Sequence, residues 1–521
     1  MDKIILKFLR INLWDDSDEG RPNSWKLLIL ILAFTFVLRL FLVISPEVIH
    51  NDGTEYVRHA KQILSGNWSS GKSPPLYPLL IAGVQFITQD YEMAGIWVSV
   101  IFGALLVLPI FYLGRSIFNE KVGNLSALLV AVHPFLYISS GSVLTESIYQ
   151  FLLTTSVLFG WHVFKRGRFS DILLFSLFTA FAYLTRPEAI GLLLIVSIWV
   201  LLINPPSEGR RWMKRAGIIL FVIIGFLVFS SPYLIQIRKE TGRWGISKKA
   251  AISIGSLSGE EEAPSLESLR KRKGITLSSL IKHPWPVLGK IGTGILGSLY
   301  RFQQVYNPIL FFLAVIGWIF LFKRKGLLSN WKGNFFLLTH LIFYFGFVFP
   351  FFFITKRYTS QMISISIPWA AFGFLRLIQW LNLRWKGSIP LKRFSILLLL
   401  FILTGLFIQG RVIHTREHRF IQREAGLWMK ENLQQGAKVM SRLPQEAFYA
   451  ELPWVRMPFG EYEVIIEDAR SKGIRYLLID EDIDKISQNF LGKMRREDLV
   501  PIRDFRREDQ RIVIFETAKQ E

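Results

Sequence analysis

Long apolar runs recur along most of the chain, and they limit the folds open to it more than any other feature. A helix of about 20 apolar residues crosses the roughly 30 Å hydrocarbon core of a bilayer. We count about eleven runs near this length between residues 27 and 410, separated by short loops. Since 51% of the residues are hydrophobic, there is more apolar surface than one soluble core would bury. The pattern predicts a polytopic α-helical membrane protein.

The charge of the chain is explained by membrane topology rather than by a nucleic-acid partner. The net charge is +22, but the lysines and arginines lie in short loops beside the apolar runs, as in cytoplasmic loops of membrane proteins. The complete lack of cysteine excludes disulfides, thiol catalysis and cysteine-ligated metals. Residues 1–26 carry mixed charge and no early apolar stretch, so the first run is predicted to be a retained span rather than a cleaved signal.

Alternation of charged loops sets the predicted orientation. A cytoplasmic N-terminus (1–26) precedes a transmembrane region (27–413) whose outward loops include residues 46–93 and 236–300. An odd number of spans then places residues 414–521 outside. The predicted location is the inner membrane of the cell, multi-pass. The loops rich in positive charge, which are predicted to face the cytoplasm, are Arg115/Lys121, Lys165/Arg166/Arg168, Arg210/Arg211/Lys214/Arg215, Lys323/Arg324/Lys325 and Arg384/Lys386/Lys392/Arg393.

The last hundred residues change pattern. Helical spacing of apolar residues appears at 424–433 and 462–472, whereas alternating strand-like runs appear at 438–443, 475–480 and 511–516. We predict a small α/β domain over residues 414–521.

Asp52 and Glu55 lie just after the first apolar run and are the first candidates for chemistry. Their three-residue spacing fits an N-terminal capping box with Asp in place of Ser or Thr. A capping carboxylate keeps a second oxygen available, so a catalytic role stays open beside the capping role.

Glu146 stands at the predicted outer end of a span, where the helix N-terminus favours a carboxylate. A charged residue at the edge of the hydrocarbon is also a functional candidate. Arg39, inside the first run, is a candidate for the same reason, either reaching outward or pairing with a carboxylate such as Asp52 or Glu47.

Three cations are predicted to share the outward face with these acids. Lys72 is suited either to the membrane interface or to a lipid phosphate. Arg186 lies in a tight turn, where it neutralises Glu188 in the simplest interpretation, and Arg357 precedes Tyr358 in another outward turn. Acids and cations are therefore predicted to share one face of the membrane.

Taken in order, these pieces resemble the GT-C membrane glycosyltransferases, in particular the family 39-like group of protein O-mannosyltransferases and lipid A aminoarabinose transferases. The resemblance covers nearly the whole chain. The pieces that carry it are Asp52, Tyr56, Ala60 and Gly66, the run Pro74-Pro75-Leu76-Tyr77-Pro78, Pro134 with Ser142 and Glu146, the segment Tyr183-Leu184-Thr185-Arg186-Pro187-Glu188, Arg357-Tyr358 and the outward α/β tail.

The resemblance implies an inverting transfer of a hexose or pentose from a polyprenyl-phosphate donor to an acceptor hydroxyl outside the cytoplasm. Asp52 aligns with the catalytic acid of the family, which makes it the candidate base. Glu55 and Glu146 are further catalytic candidates, and Lys72, Arg186, Arg357 and Tyr358 are candidates for the donor phosphate. The usual acidic pair is broken here, because Gly53 follows Asp52. This leaves a divalent cation, with Asp52, Glu55 and Glu146 as its ligands, open as a cofactor.

Two other classes of protein compete with this interpretation. A transporter or flippase of lipid-linked sugars requires charges near the bilayer midplane, discontinuous helices and repeated halves, and the sequence shows no repeat. An assembly factor that binds a partner through its outward domain is the third class, because a fold does not fix an activity. The acceptor stays open among a lipid, a glycan and a protein.

Overall fold

A computed structural model shows the chain as two compact units. The described residues are 24–44, 47–67, 73–203, 212–247, 284–323, 326–351, 355–384, 391–414, 420–458, 460–486, 490–507 and 510–518. The first unit comprises the described residues from 24 to 413 except 46–58, and the second comprises those of 46–58 and 414–521.

The first unit is helical throughout the part that the structure describes. Its α-helices are α1 (Ser24–Ile44), α2 (Asn51–Leu64), which starts in the second unit, α3 (Leu76–Thr88), α4 (Tyr91–Leu105), α5 (Val107–Ile117), α6 (Glu120–Val132), α7 (Pro134–Ser140), α8 (Glu146–Arg166), α9 (Phe169–Tyr183), α10 (Gly191–Leu202), α11 (Trp212–Thr241), α12 (Pro284–Tyr306), α13 (Pro308–Lys323), α14 (Gly326–Phe343), α15 (Lys356–Thr359), α16 (Ile363–Arg384) and α17 (Leu391–His414). Short 3-10 turns cover Pro187–Ile190, Phe349–Phe351 and Ser360–Met362, and a π turn covers Tyr344–Val348.

Among the described residues, five helices are long and apolar enough to cross a bilayer, or up to seven if each bent pair forms one span. A mostly helical membrane fold is therefore confirmed, but the predicted number of about eleven spans is not. The five are Trp25–Ile44, Tyr91–Ile117, Trp212–Thr241, Lys356–Arg384 and Arg393–Val412.

The first bent pair, α6 and α7, turns by 58° because Pro134 has no N–H to continue the ladder of α6. The break frees backbone carbonyls at the end of α6, and a buried arginine of α1 satisfies one of them. Arg39 Nη1 donates to the carbonyl of Ala131 at 3.1 Å, and its Nε donates to Ser140 Oγ at 3.0 Å. A cation at a helix C-terminus is also favoured by the helix dipole. Arg39 thus bonds to both halves of the broken helix.

The second bent pair, α12 and α13, turns by 108°. Asn307, between them, has φ +72°, a left-handed conformation that asparagine tolerates better than most residues. Its Oδ1 accepts from the backbone N–H of Ile309 at 2.8 Å and caps α13.

Helices α13 and α16 approach closely at two glycines. A Cβ on Gly373 would lie 1.8 Å from the carbonyl oxygen of Leu313, and a Cβ on Gly317 would lie 2.4 Å from that of Trp369. Small residues at such crossings let helix backbones pack without a hydrophobic driving force from water.

The second unit contains a five-stranded sheet in the order β2-β1-β3-β5-β4. Strands β1 to β3 are parallel, and β5 runs antiparallel to both β3 and β4. The elements are α18 (Phe420–Asn432), β1 (Val439–Ser441), α19 (Gln445–Tyr449), β2 (Trp454–Arg456), α20 (Tyr462–Ser471), β3 (Tyr476–Asp480), α21 (Glu481–Ile486), α22 (Phe490–Lys493), β4 (Leu499–Arg507) and β5 (Gln510–Thr517). The helices and strands predicted from the sequence all lie within this set, whereas β2 and β4 had not been predicted.

Alternating side chains give the sheet two buried faces. Along β3, Leu477 and Ile479 pack with α20, whereas Tyr476 and Leu478 pack with α18 and α19. This period of two is the expected one for a strand covered on both sides.

The predicted outward loops contain regular structure. Residues 46–93 include α2 and α3, and α11 and α12 extend into residues 236–300. Residues 248–283 of the second loop, like 1–23 of the N-terminus, lie outside the described residues.

Candidate active site

Glu146 is the centre of a buried ion cluster in the first unit. It occupies the first position of α8, and its side chain is only 1% exposed. Its Oε1 accepts from Arg186 Nη2 at 2.8 Å and from Arg357 Nε at 2.6 Å. The three residues come from the start of α8, the turn after α9 and the short helix α15, so packing of the bundle brings them together.

Arg186 is held on several sides. Its Nε donates to Thr145 Oγ1 at 3.0 Å, and its Nη1 lies 3.8 Å from Glu188 Oε1. The guanidinium carbon also lies 5.5 Å and 5.3 Å from the ring centroids of Tyr149 and Tyr358, within cation–π range. The sequence had suggested that Arg186 neutralises Glu188, but its shorter contact is with Glu146.

Hydroxyl and amide groups extend the cluster. The hydroxyls of Tyr149 and Tyr344 lie 3.2 Å apart, and the Tyr344 hydroxyl donates to the carbonyl of Glu188 at 3.3 Å. Gln361 Nε2 donates to Glu188 Oε1 at 3.3 Å. Gln150 Nε2 donates to the carbonyl of Ser360 at 3.2 Å. These bonds fix the neighbours of the ion cluster, which is what preorganisation of a polar site requires.

Exposure increases from the carboxylate outward. The side chains of Glu146, Arg186 and Arg357 are 1%, 10% and 30% exposed. Arg186 Nη1 and Glu146 Oε2 are buried and have no hydrogen-bond partner among the described residues. A buried donor without a partner costs free energy, and an incoming anionic oxygen would satisfy it. Arg357 is therefore the most accessible of the three residues in the ion cluster.

Asp52 and Glu55 belong to the second unit. Helix α2 begins at Asn51, so Asp52 lies in its first turn and not at the N-cap that a capping box would require. Asp52 is exposed, and Glu55 accepts from Arg58 Nε at 3.2 Å one turn further on. Both side chains of that pair are 43% or more exposed, so the pair contributes little to stability.

Two predicted features are not visible at the site. Lys72 lies outside the described residues. In the part of the chain that the structure describes, no group of three or more His, Asp or Glu residues is arranged to hold a metal ion.

The sequence analysis missed Thr145, Tyr149, Tyr344 and Gln361 as members of the cluster. One signal was available for Tyr149, because positions three apart lie on the same face of a helix and Glu146 precedes it by three. Tyr344 and Gln361 come from a π turn and a 3-10 turn that are distant in sequence, and no local pattern marks them.

One family model matches part of the chain. Residues 72–235 match the family model described as dolichyl-phosphate-mannose-protein mannosyltransferase, and this range contains Glu146 and Arg186. A search of curated proteins finds no match to the sequence.

Solved structures resemble the fold over almost the whole chain. ArnT from Cupriavidus metallidurans bound to undecaprenyl phosphate superposes with a TM-score of 0.60 at 11% identity, covering 96% of this chain and 100% of that one. The apo oligosaccharyltransferase of Archaeoglobus fulgidus gives 0.52 at 12% identity, covering 94% of this chain and 74% of that one. The chain has a fold like that of ArnT, and its resemblance to the mannosyltransferase and ArnT group of GT-C proteins is confirmed.

Proposed function

We propose that this protein is a membrane glycosyltransferase that takes a sugar from a polyprenyl-phosphate donor and passes it to an acceptor hydroxyl. The observation that carries the proposal is the cluster of Arg186 and Arg357 around Glu146, in a fold like that of ArnT, which binds undecaprenyl phosphate. Two of these three residues, Glu146 and Arg186, lie in the segment that matches the mannosyltransferase family model.

The arginines are proposed to hold the donor phosphate. As the bond from the anomeric carbon to the phosphate oxygen breaks, negative charge grows on the phosphate, and fixed cations in a poorly hydrated site stabilise it. Arg186 Nη1 makes no hydrogen bond to the described residues, although it lies 3.8 Å from Glu188 Oε1, and Arg357 is the more accessible cation. The Tyr358 ring lies within cation–π range of the Arg186 guanidinium and is proposed to help hold it at the donor phosphate. Lys72 is proposed as a third ligand of the donor phosphate.

Glu146 has the role of orienting the arginines in this scheme. Its Oε1 already accepts two charged hydrogen bonds, and charge-assisted bonds of this kind are the stronger ones in proteins. We therefore assign it to positioning rather than to proton transfer.

Asp52 is proposed as the general base. The acceptor hydroxyl attacks the anomeric carbon and gives its proton to the Asp52 carboxylate, while the polyprenyl phosphate leaves from the opposite side with inversion. Asp52 is exposed in the first turn of α2, so its carboxylate is accessible to an acceptor. Glu55, which pairs with Arg58, is proposed at most to assist Asp52.

The proposed setting is the inner membrane of a cell, with a cytoplasmic N-terminus. The reaction and residues 414–521 are assigned to the extracytoplasmic side, because the loops rich in Lys and Arg alternate with loops poor in them. The donor is a hexosyl or pentosyl polyprenyl phosphate, and the acceptor is a lipid, a glycan or a protein.

The test supplies purified protein in detergent with a panel of radiolabelled undecaprenyl-phosphate hexoses and pentoses, together with a cell-envelope extract as acceptor. We expect release of undecaprenyl phosphate from at least one donor. Asp52→Asn should abolish that release with normal expression and thermal stability. A fully active Asn variant would show that another residue is the base, and no release from any donor would contradict the transferase assignment.

A transporter of lipid-linked sugars is the second candidate, and one observation favours it. The two bent helix pairs, at 58° and 108°, are the discontinuous helices common in transporters. Reconstituted protein that moves a fluorescent undecaprenyl-phosphate sugar across vesicles without releasing undecaprenyl phosphate would establish this alternative.

A further inference from the structure

Two hydrogen bonds join helix α19 of the tail domain to the segment that leads into α2, within the second unit. The backbone N–H of Ile49 donates to the Tyr449 hydroxyl at 2.9 Å, and these residues are 400 positions apart. Gln445 Nε2 donates to Asn51 Oδ1. Val48 and Ile49 are each 2% exposed, so the segment is buried and not a free loop.

The tail side of this contact is buried and closely packed. Gln445 is fully buried, and Arg423 of α18 lies 5.5 Å from the ring centroid of Tyr449. Helix α18 meets α19 at Gly426, where a Cβ would lie 2.6 Å from both the carbonyl oxygen of Glu446 and the Cβ of Tyr449. Packing within the tail domain therefore holds the Tyr449 hydroxyl and the Gln445 amide in place, as a preorganised site requires.

The segment side is continuous with the first turn of α2. Asn51 is the first residue of that helix and Asp52 the second. The Thr54 backbone N–H donates to the carbonyl of His50 at 3.1 Å, and Thr54 Oγ1 donates to that of Asn51 at 2.8 Å. Because a helical turn is a stiff unit, fixing Ile49 and Asn51 also fixes the backbone of Asp52.

We propose that Gln445 and Tyr449 are positioning residues and that the tail domain sets the position of the first turn of α2, and with it the Asp52 carboxylate. This inference rests on the proposed role of Asp52 as base. It gives the tail domain a part in the chemical step, apart from any part in selecting the acceptor. A base displaced by about 1 Å from its productive geometry loses on the order of 10²-fold in rate.

The first test compares two tyrosine variants of the full-length protein in detergent. Tyr449→Phe removes the hydroxyl that accepts from Ile49 and keeps the ring beside Arg423. Tyr476→Phe is the matched control, because that hydroxyl also accepts from a backbone N–H, of Gln434 at 3.4 Å, in a tail residue of similar burial.

Hydrogen–deuterium exchange of residues 47–56 is the readout that does not depend on activity. We expect at least a tenfold faster exchange at Ile49 in Tyr449→Phe and no change there in Tyr476→Phe, with thermal unfolding of both near wild type. Wild-type exchange of this segment in Tyr449→Phe would overturn the proposal.

A double-mutant cycle tests the second contact. Gln445→Met keeps the side-chain volume, and Asn51→Ala removes its partner. If the contact positions the turn, each single variant raises exchange over residues 51–54, and the double variant adds little to either. Fully additive effects would contradict the assignment.

Kinetics with the donor that the wild-type protein uses then separate the two proposals. Tyr449→Phe should lower kcat by at least tenfold and leave the donor KM within twofold, since the donor phosphate is held elsewhere. If exchange changes as expected while kcat does not, the tail holds the backbone of α2 but has no part in the chemical step, so the positioning proposal fails, and Asp52→Asn alone decides whether Asp52 is the base. If Asp52→Asn is inactive and exchange does not change, the base stands and the positioning proposal fails.

Discussion

Arg357 Nε lies 2.6 Å from Glu146 Oε1, although 211 positions separate the two residues. The same oxygen accepts from Arg186, so one buried carboxylate holds two cations at fixed positions. Like charges would otherwise repel each other in a site of low dielectric. The Glu146 carboxylate therefore offsets the repulsion between the two arginines.

Removal of the Glu146 charge is the direct test of that arrangement. Glu146→Gln leaves two cations without their common partner, and breaking a buried pair in this way costs about 3 kcal/mol or more of unfolding free energy. We expect lower thermal stability and loss of donor turnover. Glu120→Gln is the control, because its pair with Arg115 spans 4.0 Å between half-exposed side chains and should cost under about 1 kcal/mol. Equal effects of the two variants would refute a special role for Glu146.

Neighbouring cations in α15 offer a matched comparison. Arg357 bonds to Glu146, whereas Lys356, one residue earlier, is exposed. Arg357→Ala should lower kcat/KM for the donor by about 10- to 100-fold, the range for loss of a charged hydrogen bond. Lys356→Ala removes the same formal charge and should change kcat/KM for the donor less than threefold. The measurement is steady-state kinetics over a range of donor concentrations. Similar losses of kcat/KM in Arg357→Ala and Lys356→Ala would mean that only the total charge of α15 matters.

Close packing beside the helix break at Pro134 predicts that one added methyl group, in Gly103→Ala, destabilises the protein. A Cβ at Gly103 would lie 2.1 Å from Ser140 Oγ and 3.1 Å from Arg39 Nε, so Gly103→Ala should separate Arg39 from Ser140. We expect a loss of about 1–3 kcal/mol, the usual cost of overpacking. Gly83→Ala, in α3, meets nothing within 4 Å and should be neutral or stabilising. Thermal unfolding in detergent distinguishes them, and an unchanged midpoint for Gly103→Ala would contradict the packing described.

The buried carboxyl of Glu446 is expected to make the stability of the tail domain depend on pH. Burial raises the pKa of Glu446 from its ordinary value of 4.5 to about 8. Below pH 4.5 both the folded and the unfolded chain hold the proton, so there is no penalty. Between pH 4.5 and 8 the unfolded chain releases the proton and the folded domain keeps it. Stability therefore falls by up to about 1.4 kcal/mol per pH unit and levels off above pH 8.

Glu446→Gln should remove this slope. Hydrogen exchange of residues 445–449 in the full-length protein, corrected for intrinsic rates, should show protection falling from pH 5 to pH 8 in the wild type and staying flat in the variant. Parallel slopes would mean that Glu446 ionises freely in the folded domain.

Local sequence patterns were sufficient to predict the main types of secondary structure in this protein. The apolar runs predicted a helical membrane fold, and alternation in the last hundred residues predicted strands such as β3 and β5, because burial repeats with the period of each element. The family resemblance came from short motifs such as that around Arg186, which are also local. The span count was not confirmed, because several apolar helices among the described residues are only 10–17 residues long and two helix pairs bend, at Pro134 and at Asn307.

The sequence by itself determined that this chain enters a membrane, that it carries an acidic turn at Asp52 and that it ends in an α/β domain. Tertiary structure alone decided which charges meet. Glu146 pairs with Arg357 rather than standing as a lone helix-start acid, Arg39 bonds to Ala131 and Ser140, and Tyr449 accepts from Ile49. The physical reason is that hydrophobic periodicity depends on neighbours a few residues away, whereas an ion pair or a buried hydrogen bond depends on how distant helices pack.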